Sequence, residues 1–473
     1  MEKERLEELK AIIPEERIIL DRDAILDAAK DYIGFRRYER DSGHNMAPVA
    51  SCILMVNSTE EVSAVLRYLN EKKIDVVPRT GGSSVTMGLE PVEGGVILDG
   101  SNMTGIISID EENMQVTARC GMPLEQLEKT LNEKGYTTGH FPQSLPMAQM
   151  GGLVATRSIG QFSTLYGGIE DLLVGLEAVL ADGTVVRIKN VPRRSCGPDL
   201  RHLFIGSEGT LGFVTEVTVK MFKYNPEGRW MGAFLVKNTR KGLEVIQEIM
   251  REGYKPAVCR LHDAVELKEV MHIKVPGDSS LLLFICDGPT DINKVTGKAI
   301  QKICLKHKAV PLGSKPVKQW FAVRNDVCND MDKPIYYNMG VFADTCEISA
   351  AWSDIADIYE NTIERVHNEV EKISLIGGHA SHCYMTGTNI YFQFAVMEDN
   401  YQKAREDYMQ VISIIMEETL KKGGSIAHHH GSGKYRTKWM PEEHGSSYEL
   451  MYRLKEMMDP NGILNKGVIL VEK

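Results

Sequence analysis

Three consecutive histidines, His428, His429 and His430, precede Gly431-Ser-Gly-Lys434 near the end of a 473-residue chain. Imidazole titrates near neutrality, so a histidine in a pocket can take the hydroxyl proton as an alcohol is oxidised. On an extended segment the middle ring faces one way and the outer two the other, so all three meet one pocket only if the chain bends. Arg260 sits in the apolar stretch Val258-Cys-Arg-Leu261, where an unpaired guanidinium would cost several kcal/mol and so calls for an anion. Tyr384 stands just ahead of a strand-like run, its hydroxyl either packed and satisfied or free to handle a proton. His379 and His382, in His-Ala-Ser-His, have no third ligand at metal-binding spacing and read as structural. Gly431–Lys434 lacks the Gly-to-Gly-Lys span of a phosphate-binding P-loop.

The segments that must position these side chains are rich in small residues. Val76-Val-Pro-Arg-Thr-Gly-Gly-Ser-Ser-Val-Thr-Met-Gly88 begins as a β-branched strand end. Pro78 stops the ladder, and Gly81 and Gly82 admit turns at positive φ. Such a turn aims backbone N–H groups into one concavity, which suits a pyrophosphate. Phe141–Gly160 is a second segment, where Gly151, Gly152, Ala155 and Ser158 let a ring or phosphate approach the backbone; Gly206–Gly212 is a third. Three in one domain imply a long ligand touched at several points, such as a dinucleotide.

Residues 1–45 read as a charged helical lead-in. Ala50–Val56, a helix opened by the Ser58-Thr-Glu-Glu61 capping signature, and the strand into Val77 make a βαβ unit. Residues 46–105 and 106–223 are expected to form two subdomains of one ligand-binding domain. Pro226 and Gly228 mark a boundary. Over 224–425, strands at Met231–Leu235, Leu281–Ile285, Glu347–Ala350 and Ile390–Val396 alternate with helices at Gly242–Glu252, Ile292–His307, Ile355–Ile373 and Tyr401–Glu418. That order implies an α+β unit on an antiparallel sheet. Residues 426–473 return to the first domain.

The net charge of −10, with no basic run, excludes a nucleic-acid partner. Nine cysteines stand singly without Cys-x-x-Cys, as in a reducing compartment. The N-terminus has no apolar signal core, and the longest apolar runs are strand-sized. A cytoplasmic protein without a transmembrane segment is expected.

The three loops, Ser207-Glu-Gly-Thr-Leu-Gly212 and the closing Asp459-Pro-Asn-Gly462 together resemble the vanillyl-alcohol-oxidase/PCMH superfamily of FAD flavoproteins over essentially the whole chain. Within it the chain looks like alkyldihydroxyacetonephosphate synthase. The likeness rests on Tyr166-Gly-Gly-Ile-Glu-Asp171, Pro256–Leu261, Tyr384 seven residues before Tyr391-Phe392, and the histidine triplet with its Gly-Ser-Gly-Lys. The resemblance implies an α+β, two-domain PCMH-type FAD-binding fold whose cap is built on an antiparallel sheet. It places FAD against Pro78, Arg79, Thr80, Gly81, Gly82, Ser83, Ser84 and Gly88. Further contacts are Gln143, Ser144, Leu145, Met147, Ala148, Gln149, Gly151 and Gly152, then Thr156, Arg157, Ser158 and Ile159, then Glu208, Gly209, Gly212 and Val214. Tyr384 becomes the catalytic tyrosine, His428–His430 line the pocket, and Arg260 sits near the flavin. The synthase's phosphate-binding arginine has no clear match. Met331-Asp-Lys333 falls there, so Lys333 replaces it or the phosphate is absent. Lys434 is a further substrate-binding candidate.

The 2-hydroxy-acid dehydrogenases are a sibling branch, echoed by Trp320-x-x-x-Arg324, where arginine can meet a carboxylate bidentately. The metal-binding His-x-Gly-Asp-Gly-Asn-x-His of some members reads Tyr384-Met-Thr-Gly-Thr-Asn-Ile-Tyr391 here, so no metal is expected. The opening loop has neither histidine nor cysteine, so FAD is expected to be non-covalent, with His44 and Cys120 left as alternatives. The expected function is FAD-dependent oxidoreduction of a small hydroxylated anionic substrate by hydride transfer to flavin N5. Two alternatives stand. One is ether-lipid synthase chemistry through an N5 adduct, with Tyr384 removing a proton. The other is a flavin subunit feeding an iron–sulfur protein, since the chain has no cluster motif of its own. An electron-acceptor protein and a second copy of the chain, as a homodimer, are the partners left open.

Overall fold

Ser58 does what its chemistry dictates. In the computed structural model, which describes residues 3–43, 47–330, 333 and 339–471, its hydroxyl accepts the Glu61 N–H at 3.3 Å and launches the helix Thr59–Lys72. Val62, Val65, Leu66 and Leu69, at helical spacing, bury their stripe against the first sheet. That sheet has four strands in the order Ile18–Ile19, Cys52–Met55, Val96–Asp99, Val76–Arg79, and its last three are parallel. The chain's tail joins it, because Val76 donates to the Ile463 carbonyl at 2.8 Å and Asn465 donates to that of Val76 at 2.9 Å.

A second sheet is wholly antiparallel, in the order Ile106–Asp110, Gln115–Arg119, Phe213–Lys220, Leu173–Val179, Val185–Ile188. The third sheet has seven antiparallel strands: Val310–Gly313, Trp230–Val236, Ser280–Cys286, Val258–His262, Ile373–Ala380, Gly387–Met397 and Val341–Ala351. The α+β class and the antiparallel cap sheet match expectation. The expected helix Ile355–Ile373 stops at Glu369, and Ile373 instead opens a strand. Val258–His262, Val310–Gly313 and the helix Lys315–Val323 are further elements that short apolar runs did not announce.

The alternation of one strand decides what the third sheet presents. Cys259 and Leu261 point into the core shared with the helix Thr239–Arg251, through Ile246 and Ile249. Arg260 and His262 therefore point the other way, into a cavity between this sheet and the first two.

Candidate active site

Register builds the cavity's sheet wall. His262 pairs with His379, His379 with Tyr391, and Tyr391 with Glu347. Directly paired residues share a face, so four adjacent strands set four chemically capable side chains in one row. His379 stacks on Tyr391 with ring centroids 4.7 Å apart.

Glu347 anchors one end of the row. Its buried carboxylate accepts both Nη groups of Arg436, at 3.1 and 2.7 Å, and the backbone N–H groups of His429 and His430, at 3.1 and 2.8 Å. It also meets His430 Nδ1 at 2.8 Å. Burial pushes this carboxyl up, but the Arg436 guanidinium and His430 more than reverse that and hold it well below the usual range. Pulling two successive N–H groups to one carboxylate, with Gly431 at φ 86°, bends the histidine segment. The strict alternation of an extended segment is thereby broken. His428 Nδ1 lies 2.9 Å from His429 Nδ1, and the His429 and His430 rings are 4.4 Å apart.

Glu266 anchors the other end from a single π-helical turn, Glu266–Val270. Its carboxylate lies 2.8 Å from His262 Nδ1, 3.0 Å from His379 Nδ1 and 3.1 Å from Gln393 Nε2. Burial pushes His379 down to about 4, so its ring is neutral at neutral pH. Arg260 Nε donates to His262 Nε2 at 3.3 Å, and its guanidinium lies over the Trp320 ring. His382, bonded to Ser163 Oγ at 2.7 Å, sits beside His428 and His429. Both histidines of His-Ala-Ser-His thus have partners from distant segments. His262, Glu266 and His379 form one group, and His382, His428 and His429 another, each with potential ligand atoms within 4.8 Å of one another.

The three small-residue loops converge on the same cavity, which has a volume of about 840 Å³. Pro78–Ser84 and Gly88 line it, as do Gln143, Ser144, Ala148, Gln149, Gly151, Gly152, Thr156, Ser158, Ile159, Glu208, Gly209, Gly212 and Val214. The N–H groups of residues 80–85 donate to no protein acceptor among the described residues. The side-chain oxygens of Gln149, Gln161 and Asn465 are buried there without partners. A Cβ at Gly81 would come 2.5 Å from the Met147 carbonyl, so the first two loops close on each other only through glycine. A row of free N–H groups for a pyrophosphate, with orphaned amide oxygens for ring N–H or ribose hydroxyl groups, fits FAD.

Several expected contacts lie elsewhere. Leu145 belongs to the apolar core, Met147 contributes backbone to the loop contact, and Arg157 is exposed and paired with Glu170; none lines the cavity. Arg79 lines it but directs its guanidinium to Asp99 and the Ala28 carbonyl. Glu208 is a clasp: its carboxylate accepts the Ser432 and Gly433 N–H groups at 2.7 and 2.9 Å, fastening the tail to the first domain. Tyr384 is 37% exposed; its hydroxyl is 2.7 Å from His428 Nε2, and neither residue lines the large cavity. Arg324 does, with its Nε unpartnered. Lys434 instead reaches the Pro91 carbonyl, and Lys333 is exposed outside the lining. Met331, Asp332 and His44 lie outside the described residues. The Cys120 thiol is buried against Gly100 and Met103, off the cavity. The lead-in, by contrast, contributes Tyr32 and Arg37 to the lining, and Tyr32 donates to the Ser84 carbonyl at 2.9 Å.

Comparison with known proteins bears on this arrangement. Residues 50–189 match the FAD binding domain, and residues 225–469 match the C-terminal domain of FAD linked oxidases. The chain is 46% identical to the FAD-linked oxidoreductase YgcU of Escherichia coli (strain K12), covering 98% of this chain and 97% of that one. It is 28% identical to alkyldihydroxyacetonephosphate synthase of Caenorhabditis elegans, over 87% of this chain and 74% of the relative. It is 26% identical to glycolate oxidase subunit GlcD of Bacillus subtilis (strain 168), over 91% of each. A solved alkyldihydroxyacetonephosphate synthase superposes with a TM-score of 0.81 at 23% identity, over 98% of this chain and 86% of that one. p-Cresol methylhydroxylase superposes with 0.78 at 16% identity, over 99% and 96%. The fold is the two-domain PCMH-type FAD-binding fold.

Proposed function

The chain belongs to the FAD-linked oxidases, and from that premise we propose that it oxidises a small hydroxylated, anionic substrate of the 2-hydroxy-acid class. The observation that carries this reading is Arg260. Its side chain is buried on the cavity wall and forms no ion pair with a protein carboxylate among the described residues. A guanidinium so placed is completed by an anion, and its fork suits a carboxylate bidentately.

The proton falls to His430. With Nδ1 held by Glu347, its Nε2, which the Tyr391 hydroxyl meets at a long 3.4 Å, can accept the substrate hydroxyl proton in that hydroxyl's place, and the carboxylate steadies the imidazolium that forms. FAD, when bound, supplies the two-electron acceptor for the hydride leaving the substrate carbon. Trp320 and the Tyr391 ring wall the reacting end.

Anaerobic mixing of the holoenzyme with a panel of 2-hydroxy acids tests the reading. Bleaching of the flavin band near about 450 nm supports it, and no bleaching by any member removes it. One contact favours a second reading, ether-lipid synthase chemistry: the Tyr384 hydroxyl held by His428 at 2.7 Å. Silence with hydroxy acids, together with fatty-alcohol incorporation from acyl-dihydroxyacetone phosphate, would select it.

A further inference from the structure

The Glu266 group has hydrogen-bond directions that can be worked out in full. Arg260 can only donate, so His262 Nε2, 3.3 Å away, carries a lone pair and His262 Nδ1 carries the proton. That proton goes to Glu266 Oε2 at 2.8 Å. His379 Nδ1, 3.0 Å from Glu266 Oε1, donates likewise. The carboxylate is thus filled by N–H donors, and a cation among these atoms would have to displace two protons beside a guanidinium. The arrangement orients imidazoles rather than holding a metal.

One atom is left over. With its ring neutral and Nδ1 donating to Glu266, His379 carries a lone pair on Nε2; that atom has no protein partner among the described residues, and the ring lines the cavity beside Tyr391. An acceptor fixed in this way calls for an O–H or N–H donor from whatever fills the cavity, and a carboxylate oxygen cannot serve. His430, the proposed proton acceptor, stands on the other side of Tyr391 with its own carboxylate.

We propose that His379, positioned by Glu266, is a second substrate-binding residue that accepts a hydrogen bond from a hydroxyl other than the one being oxidised, so that the substrate is a polyhydroxylated carboxylic acid. This rests on the proposed oxidation of hydroxylated anions and narrows it. Three recognition points result: Arg260 for the carboxylate, His430 for the reacting hydroxyl, and His379 for a further hydroxyl along the chain. A site built to bond a hydroxyl discriminates against an analogue lacking it, because the acceptor is left desolvated and unmatched.

The holoenzyme is titrated anaerobically with gluconate and, separately, with 2-hydroxyhexanoate, which has the same carbon chain without the extra hydroxyls. Perturbation of the flavin spectrum reports binding, and bleaching is recorded independently. Gluconate is expected to bind at least about tenfold more tightly. His379→Asn and Glu266→Gln, checked for retained FAD, are expected to bring the ratio close to one. Equal binding in the unmodified enzyme, no perturbation by gluconate, or a ratio untouched by His379→Asn overturns the proposal. A preserved preference with no bleaching overturns only the oxidation reading, and bleaching without preference overturns only this one.

Discussion

Replacing Glu347 by glutamine should be among the most damaging changes the sheet can suffer. The substitution keeps the shape but removes the charge that faces Arg436, which is 1% exposed. It also turns one of the two acceptor oxygens into an NH2 donor, where Oε1 serves the His429 and His430 backbone N–H groups and Oε2 serves His430 Nδ1. Stranding a buried charge typically costs about 3–5 kcal/mol, and the guanidinium here has no other carboxylate within ion-pair distance among the described residues. Arg436→Met leaves the buried carboxylate only the two backbone N–H groups and His430, and should cost a comparable amount. The double variant removes both charges, so it should recover a coupling of about 2–3 kcal/mol relative to the sum. Urea unfolding of the FAD-saturated proteins measures all four corners of the cycle. A loss below about 1 kcal/mol for Glu347→Gln, or a strictly additive double variant, would refute the view that this pair holds the histidine segment in place.

Other expectations follow from single contacts. Gly81→Ala drives a methyl group against the Met147 carbonyl and the Gln149 N–H, so the purified variant should lose most of its FAD; full retention would count against the loop contact. Burial pushes Glu208 up to about 7 from an ordinary value of 4.5, so the folded state holds its proton more tightly between those values. Its contribution to stability is therefore greatest below that window and is lost as the pH rises through about 7. Melting temperatures of wild type and Glu208→Gln should shift in the variant's relative favour from acid to mildly alkaline buffer, and a constant difference would contradict this. Arg260→Met should raise the half-saturating concentration of an anionic substrate at least about tenfold while FAD stays bound, as read from the concentration dependence of flavin bleaching.

The sequence announced the dinucleotide loops because glycine and proline carry their backbone geometry locally. Pro78, Gly81 and Gly82 mean much the same in any chain. The capping serine Ser58 was equally plain, since its partner Glu61 is three residues away. The anchors of the imidazoles were not legible. Glu347 lies 83 positions from His430, and Glu266 lies 113 from His379, so no spacing rule connects them. A charged residue inside Thr345-Cys-Glu-Ile348 was the one available sign, as Arg260 was in its own strand. The row His262–His379–Tyr391–Glu347 is a product of strand register, which sequence pattern leaves open until neighbouring strands are known. The strand Ile373–Ala380 was hidden because its first residues continue the apolar periodicity of the preceding helix. Lys434, a substrate-binding candidate in the sequence, follows Gly433, whose φ of 53° turns the chain, and its ammonium donates to the Pro91 carbonyl.

The most direct test is the single-turnover rate of flavin bleaching by a reactive hydroxy acid, compared between the unmodified enzyme and His430→Gln, each with its FAD content measured. A general base contributes about 10²–10⁴-fold, so the variant should bleach slower by a factor in that range with its flavin in place. An unchanged rate would show that the proton leaves by another route and that the Glu347–His430 pair is only scaffolding.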